Sequence, residues 1–372
     1  MIVTIERSAF LKALGHVQSV VERRNTIPIL ANVLLQADGA TLSLTATDLD
    51  VEVAERAPAD VGTPGAVTAP AHTLFEIVKR LPEGAQARLE TQPEQGRLKL
   101  SSGRSQFTLA ILPDDEFPAL SADDLDVQFS IQAGELKRLI DKAHFAMSQE
   151  ETRYYLNGVY FHPYTDGDAP LLRAAATDGH RLARVDADLP AGGEAMPGVI
   201  VPRKTVLELR RLLDDADDVV GIEVSPSKIR FRFGELVLTS KLVDGSFPDY
   251  QRVIPAGNDK AMRVETDEFK RAVDRVATVS ADRTRSVKMV MEQDKLRLAV
   301  NNPEAGSALE ELSVDYGSDA LEIGFNARYL TDVANQVDGG AMTFSFADAA
   351  SPTLIHDEEE PRALYVLMPL RV

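Results

Sequence analysis

Three times along the chain a β-like run, a polar break and an amphipathic helix follow one another, at Ile2–Val17, Gln128–Ala143 and Met262–Val276. With Ile5, Ile131 and Val264 in register, Phe10, Leu136 and Phe269 align, and each begins the same apolar pattern. It reads Phe10, Ala13, Leu14, Val17; then Leu136, Leu139, Ile140, Ala143; then Phe269, Ala272, Val273, Val276. A spacing of i, i+3, i+4, i+7 marks one face of an α-helix. Two positions past each anchor stand Lys12, Arg138 and Arg271, about 200° around the helix axis. Each copy is therefore expected to bury one stripe and point a cation the other way.

A weaker copy of the β-then-helix unit sits inside each third. Val67-Thr68 precedes Leu74, Ile77, Val78, Leu81; Val199–Val201 precedes Val206, Leu209, Leu213; Leu321–Phe325 precedes Leu330, Val333, Ala334, Val337. Between these six units lie β-branched or alternating segments broken by turn residues, such as Thr41–Thr47, Arg97–Ser101, Ile229–Phe233 and Lys295–Val300. The expected fold is α+β, with three similar domains over 1–125, 126–255 and 256–372, each two helices inside antiparallel sheets. The expected linkers are Leu120–Leu125 and Val253–Lys260.

The 372 residues suffice for a separate core in each third. The absence of cysteine fits a reducing compartment. The start, MIVTIERSAF, lacks the pattern of a secretory signal, and no apolar run is long enough to span a bilayer, so a cytoplasmic protein without a membrane partner is expected. A net charge of −18 argues at first sight against a nucleic-acid partner. Its distribution argues otherwise. The six helices, taken as Ser8–Arg24, Pro70–Leu81, Gly134–Met147, Pro202–Leu213, Thr266–Ser280 and Asn326–Val337, sum to +7, leaving −25 for the rest. If six units continue around an axis, two chains supply twelve helices to a closed ring. At an interaxial spacing of about 9–10 Å such a ring is roughly 36 Å across between axes. Subtracting a helix radius of about 5 Å on each side leaves a bore that takes a B-form duplex loosely.

The chain resembles the bacterial DNA polymerase III β subunits, the β sliding clamps, over essentially its full length. The resemblance rests on Ile27–Asn32 (IPILAN), Leu42–Asp48 (LSLTATD), Arg153–Gly158 (RYYLNG), Ala176–Ala183 (ATDGHRLA), Val201–Lys204 (VPRK), Lys241–Tyr250 (KLVDGSFPDY), Asn301–Glu304 (NNPE) and Tyr365–Val372 (YVLMPLRV). It implies a head-to-tail homodimeric ring (the DNA clamp fold) that encircles duplex DNA without reading sequence and tethers polymerases to it. The implied partners are a clamp-loader ATPase, and DNA polymerases and repair proteins that dock through short peptides. No catalysis, cofactor or metal is implied.

Carried over by motif, the peptide groove comprises Leu156, Thr177, Gly179, His180, Arg181, Leu182, Pro248, Arg252, Val253, Tyr329, Val366, Leu367, Met368, Pro369 and Leu370. Leucine, valine and methionine make an adaptable apolar slot, and Arg181 and Arg252 are expected to orient an extended peptide. Taken alone, Val366–Leu370 reads more readily as an ordinary buried strand, and only the resemblance makes it part of a groove. The chain departs from the family's commonest pattern at Leu370, Pro352 and Thr278. DNA contact is expected at Arg24, Lys79, Arg80, Gln149, Tyr154, Tyr155, Arg203 and Lys204, where cations address phosphates and tyrosines stack or hydrogen-bond. The ring-closing edges are expected at Arg104, Phe107 and Leu109, facing Thr278, Val279, Glu304 and Glu310. Two other readings stand beside this one. Asp178, His180 and Asp249 form a conceivable acid–base set, although no P-loop, nucleophile elbow, H-E-x-x-H or dinucleotide fingerprint occurs. A peptide-binding scaffold that never encloses DNA is the other.

Overall fold

A strand runs directly into each of six helices, as the repeat requires. The structure, a computed structural model, describes residues 1–23, 26–120, 125–167, 169–216, 219–280 and 285–371. The first repeat holds β1 (Ile2–Glu6), α1 (Arg7–Val17), β2 (Asn32–Asp38), β3 (Thr41–Thr47), β4 (Val51–Pro58), β5 (Asp60–Thr63), β6 (Gly65–Pro70), α2 (Ala71–Lys79), β7 (Gln86–Gln92), β8 (Arg97–Ser102) and β9 (Ser105–Ala110). The second holds β10 (Val127–Gln132), α3 (Ala133–Ala143), β11 (Gly158–Asp166), β12 (Ala169–Thr177), β13 (Arg181–Asp188), β14 (Val199–Pro202), α4 (Arg203–Leu212), β15 (Val219–Val224), β16 (Lys228–Phe233) and β17 (Leu236–Lys241). The third holds β18 (Lys260–Glu265), α5 (Thr266–Ala277), β19 (Ser286–Glu292), β20 (Lys295–Asn302), β21 (Gly306–Ser313), β22 (Asp315–Tyr316), β23 (Leu321–Asn326), α6 (Ala327–Ala334), β24 (Ala341–Phe346), β25 (Thr353–Asp357) and β26 (Ala363–Leu367).

All twelve apolar positions of the aligned helices are 2% exposed or less. Glu6 caps α1 through the N–H groups of Ser8 (2.8 Å) and Ala9 (3.2 Å), and the aligned Glu265 caps α5. Such caps satisfy donors that a helix start leaves open. The outward cations are less uniform than expected. Lys12 and Arg271 are exposed, but Arg138 is held by Glu135, Glu360 and the Asp186 carbonyl. It is a structural tie. Helix α1 also stops earlier than expected: a 3₁₀ turn, Gln18–Val20, follows it and Val21 is extended (φ −74°, ψ 116°), so Glu22 and Arg23 lie off the helix.

Each repeat divides into two four-stranded halves. In the first they are β1-β7-β8-β9 and β6-β2-β3-β4; in the second, β10-β15-β16-β17 and β14-β11-β12-β13; in the third, β18-β24-β25-β26 and β23-β19-β20-β21. Strand β5 adds to β1, and β22 to β18. The halves then merge across repeats, last strand to last strand. Strand β4 pairs with β17, Val53 opposite Leu238, and β13 pairs with β26, Ala183 opposite Tyr365. An eight-stranded and a nine-stranded sheet result, while β9 and β21 each end a smaller sheet at an open edge among the described residues.

The contacts accordingly divide the chain into two units, one of Met1–Gly134, Pro190–Pro197 and Leu207–Leu242, the other of Glu135–Leu189, Gly198–Val206 and Val243–Val372. Each contains one merged sheet. The expected linkers are partly tied down. The Leu120 N–H donates to Glu52 (3.0 Å), residues 121–124 lie outside the described residues, and the Asn258 amide donates to the Ser345 and Pro352 carbonyls (2.7 and 2.9 Å).

In the first unit the merge is reinforced by a buried histidine. His16 on α1, 6% exposed, places Nδ1 2.6 Å from Glu55 of β4 and Nε2 3.0 Å from Asp215, just past α4. Arg211 donates to the His16 carbonyl (2.9 Å). Burial works against a charged ring, but the hydrogen bonds to Glu55 and Asp215 outweigh it and raise the imidazole pKa above 6.5. A raised folded-state value means that the pairing stabilises fully below the unfolded value, and that its contribution fades as pH rises through the folded value. In urea unfolding, the stability advantage of the wild type over His16→Gln should be largest below about pH 6.5 and shrink as pH rises. A difference independent of pH would contradict the charged clasp.

Candidate functional site

The expected groove residues all fall in the second unit, and the structure sorts them into a floor and a rim. The floor is made where β13 meets β26, with Arg181 opposite Leu367 and Leu182 opposite Val366. Leu156, Leu182, Val366 and Leu367 are 4, 2, 2 and 1% exposed, so these four are core rather than contact surface. Leu182 and Val366 cluster with Ala175 and Tyr250, against which Tyr160, Phe247, Ile254, Leu354 and Leu364 pack. Beneath lies a polar tier: the His162 Nε2 is 2.8 Å from the Tyr250 hydroxyl, and Arg173 forms two hydrogen bonds to Asp186 (2.6 and 2.9 Å) under the Tyr164 ring. Burial pushes the His162 pKa down from its ordinary value, which favours the neutral imidazole in this tier.

The rim carries the accessible groups. Gly179, His180, Pro248, Arg252 and Val253 are exposed; Thr177, Tyr329, Met368, Pro369 and Leu370 are half-buried. Gly179 has φ +88°, a conformation that favours glycine, and a side chain there would also meet the Arg153 guanidinium. The tail is fixed by its backbone: the Met368 N–H donates to the His180 carbonyl (2.9 Å) and the Leu370 N–H to the Gly324 carbonyl (2.8 Å). Pro352 contributes its carbonyl to Asn258, a scaffold role.

Two expectations need correction. Arg181 does not offer its charge to a peptide. It is 8% exposed, bonded to Asp178 (3.1 Å), Asp332 (2.5 Å) and the Phe145 carbonyl (2.7 Å), and it lies 4.4 Å from the Tyr329 ring centroid. It braces the rim. Arg252, with a side chain 84% exposed and paired to Asp249 at 2.7 Å, is the cation that remains accessible. The conceivable acid–base set also dissolves, because the Asp178 carboxylate is occupied by the His180 and Arg181 N–H groups and the Arg181 guanidinium. His180 instead stacks on Tyr329, their ring centroids 6.3 Å apart.

The expected DNA residues fall on both units. In the first, Lys79 and Arg80 are exposed at the end of α2, although Arg80 is paired with Glu76. In the second, Gln149 and Tyr154 are exposed, Tyr154 at 54%, and Tyr155 is half-buried with its ring edge-on to Tyr154. Neither tyrosine is core. Arg203 and Lys204 start α4, where the Arg203 N–H donates to the Asn157 carbonyl (2.8 Å), so these cations lie beside the tyrosine turn. Cations at a helix start oppose the macrodipole. Arg24 lies outside the described residues.

Of the expected ring-closing residues, Arg104, Phe107 and Leu109 lie on or beside β9, Glu304 and Glu310 on or beside β21, and Thr278 and Val279 just past the end of α5. Phe107 is half-buried and Leu109 8% exposed on β9, with Arg104 exposed in the turn before it. Thr278 and Glu304 are exposed, Val279 is half-buried, and Glu310 on β21 is paired with Arg275 (3.0 Å). One residue was missed. Leu309, on β21, is 70% exposed. A lone leucine in a strand pattern carries no mark of exposure until the strand is known to be an edge.

Three family models match in chain order: the DNA polymerase III beta subunit N-terminal domain over residues 1–121, the central domain over 130–249 and the C-terminal domain over 251–371. The beta sliding clamp of Caulobacter vibrioides is 55% identical over 372 residues, covering all of both chains. That of Escherichia coli K12 is 41% identical over 372 residues, covering 99% of each. Among solved structures, Caulobacter crescentus pol III beta superposes with a TM-score of 0.96 at 55% identity, and a Bartonella birtlesii sliding clamp bound to griselimycin with 0.97 at 50%; both comparisons cover all of each chain. With three matching domains in order and relatives aligned end to end, the chain belongs to the DNA polymerase III β subunit family.

Proposed function

We propose that two copies of this chain close into a ring around duplex DNA and act as a processivity clamp, holding polymerases and repair proteins through short peptides laid in the groove. The chain supplies no catalysis. Without a P-loop of its own, it relies on a separate loader ATPase to open the ring. The three-domain partition at 1–125, 126–255 and 256–372 belongs to the same reading, and the three family matches support it.

The observation that carries the proposal is that one kind of strand pairing occurs twice within the chain and has its third instance left open. The last strand of one half meets the last strand of the next repeat's other half at β4–β17 and at β13–β26. Among the described residues, the two strands of the same kind still unpaired on one side are β21 and β9. Pairing β21 of one copy with β9 of the next closes after two copies and removes both open edges. The register follows from the repeat. Val53 and Ala183 correspond to Ala308, while Leu238 and Tyr365 correspond to Phe107. Phe107 should therefore lie opposite Ala308 of the second copy, and Gln106 opposite Leu309. Leu238 and Tyr365 are 0% exposed, whereas Phe107 is only half-buried in a single chain, as an unfinished junction would leave it.

Phosphate contact should dominate DNA binding, so affinity should be weak, indifferent to sequence and steeply salt-dependent. Changing Arg203 and Lys204 to Glu should weaken binding to a linear duplex and lower the log–log salt slope by roughly two per chain, leaving the melting temperature and dimer mass unchanged. Unchanged binding, or preference for one sequence, would contradict this face.

A further inference from the structure

The same repeat logic reaches beyond the strands. Eleven residues past Ile5, Ile131 and Val264 stand His16, Lys142 and Arg275, one cation on the first helix of each repeat. His16 meets Asp215, just past the second helix of the next repeat, at 3.0 Å. Lys142 meets Asp338, just past the second helix of its next repeat, at 2.6 Å. In both clasps the cation is buried, with side chains 8 and 7% exposed, and the carboxylate is mostly exposed, at 59 and 76%. The strand side repeats as well. Glu55 on β4 binds His16, and Glu310, its equivalent on β21, binds Arg275; the second repeat has Val185 at that place, and Lys142 takes the Gln336 carbonyl instead.

Arg275 differs from its two equivalents in one respect. Its side chain is 57% exposed, and among the described residues no element stands over it as those carrying Asp215 and Asp338 stand over His16 and Lys142. The missing group can be located by counting. Asp215 lies twelve residues past the start of α4 at Arg203, and Glu83 lies twelve past the start of α2 at Ala71. Asp338 lies six residues before Phe344, a core position of β24, and Glu83 lies six before Leu89, the matching position of β7. Glu83 is exposed, with no ion pair or side-chain hydrogen bond among the described residues.

We propose that Arg275 of one copy clasps Glu83 of the second copy, completing at the ring-closing junction the ion pair that His16–Asp215 and Lys142–Asp338 make within the chain. This rests on the dimeric ring proposed above and assigns it a charge-specific contact away from the strand edge. The occupant is a second copy of the chain because Glu83 stands in the first repeat, next to β7 of the sheet that ends in β9, and Arg275 stands beside β21.

The test is a charge swap read by sedimentation of the full chain, with thermal melting to show that each variant is folded. Close charge pairs at interfaces couple strongly enough that Glu83→Arg should raise the dimer dissociation constant about tenfold or more, and Arg275→Glu likewise. The chain carrying both changes should return to within about threefold of the wild type, since the swap restores opposite charges across the junction. Glu83→Arg is the cleaner arm, because Glu83 has no ion pair or side-chain hydrogen bond to lose among the described residues, whereas Arg275→Glu also abandons Glu310. A wild-type dimer whose affinity ignores Glu83→Arg, or a double variant as weak as the sum of its singles, would overturn the clasp. A wild-type chain that sediments as a monomer at low micromolar concentration would overturn the ring itself.

Discussion

Oxidation of a chain carrying Phe107→Cys with Ala308→Cys, or Gln106→Cys with Leu309→Cys, is expected to produce a covalently closed dimer. The native chain has no cysteine, so any disulfide formed is the engineered one. Successive pairs in an antiparallel ladder alternate between hydrogen-bonded and closer non-hydrogen-bonded geometry. One of these two neighbouring pairs therefore has the short Cβ separation that a disulfide needs. The combination Phe107→Cys with Leu309→Cys puts the thiols on opposite faces and should not link, because a one-residue slip inverts every side chain. The corresponding loss is Phe107→Ala. Burying the exposed part of that ring is worth about 1–1.5 kcal/mol at each of two junctions. The dimer constant should then weaken by roughly 30- to 150-fold. Leu109 is a poorer probe, since at 8% exposure it already serves its own sheet. Cross-linking only in the slipped combination, or an unchanged constant for Phe107→Ala, would refute the register.

Truncating Met368 should sharply reduce affinity for a short extended peptide of the kind the family resemblance implies, a glutamine followed by a Leu-x-Leu-Phe-like cluster. Met368 is half-buried at the rim, above a floor of Leu182 and Val366 that is already packed. Its unbranched thioether is free to adapt to a ligand. Removing contacts of about 2–3 kcal/mol predicts a loss of roughly 30- to 150-fold. Because the Met368 backbone is held by the His180 carbonyl, the rim should keep its course in Met368→Ala. Arg181→Ala should behave differently. It strips partners from Asp178 and Asp332, so lost peptide binding should come with a lower melting temperature. Equal peptide affinity for wild type and Met368→Ala would mean that the slot lies elsewhere.

The helices are legible because their apolar stripes recur at fixed spacing, and all twelve positions are buried. The strands that stitch the repeats are not. Neither β4 nor β13 stands out, because both interrupt their apolar alternation with charge: Glu55 and Arg56 in β4, Arg181, Arg184 and Asp186 in β13. Those charges find partners only in the folded state, Glu55 with His16 and Asp186 with Arg173. The groove shows the same limit. Its residues are found through motif, but whether a given side chain is floor, brace or rim depends on neighbours distant in sequence. By motif Arg181 reads as a ligand-facing cation and is a brace; Val366 and Leu367 read by motif as contact surface and are floor, as their apolar run taken alone suggests. Leu309 escapes because exposure belongs to the position of a strand in its sheet, not to the residue.

Enclosure of DNA is the central claim, and the lockable ring tests it most directly. The cysteine-pair protein would be mixed reduced with linear plasmid, onto whose ends a ring can thread without a loader. The plasmid would be ligated into a circle, the protein oxidised, and the mixture passed through a sizing column at high salt, which removes phosphate contacts. Locked dimer should co-elute with the circle and be released when a restriction enzyme cuts the plasmid once. Protein that washes off the intact circle, or that stays bound after the cut, would contradict a ring held on DNA by topology.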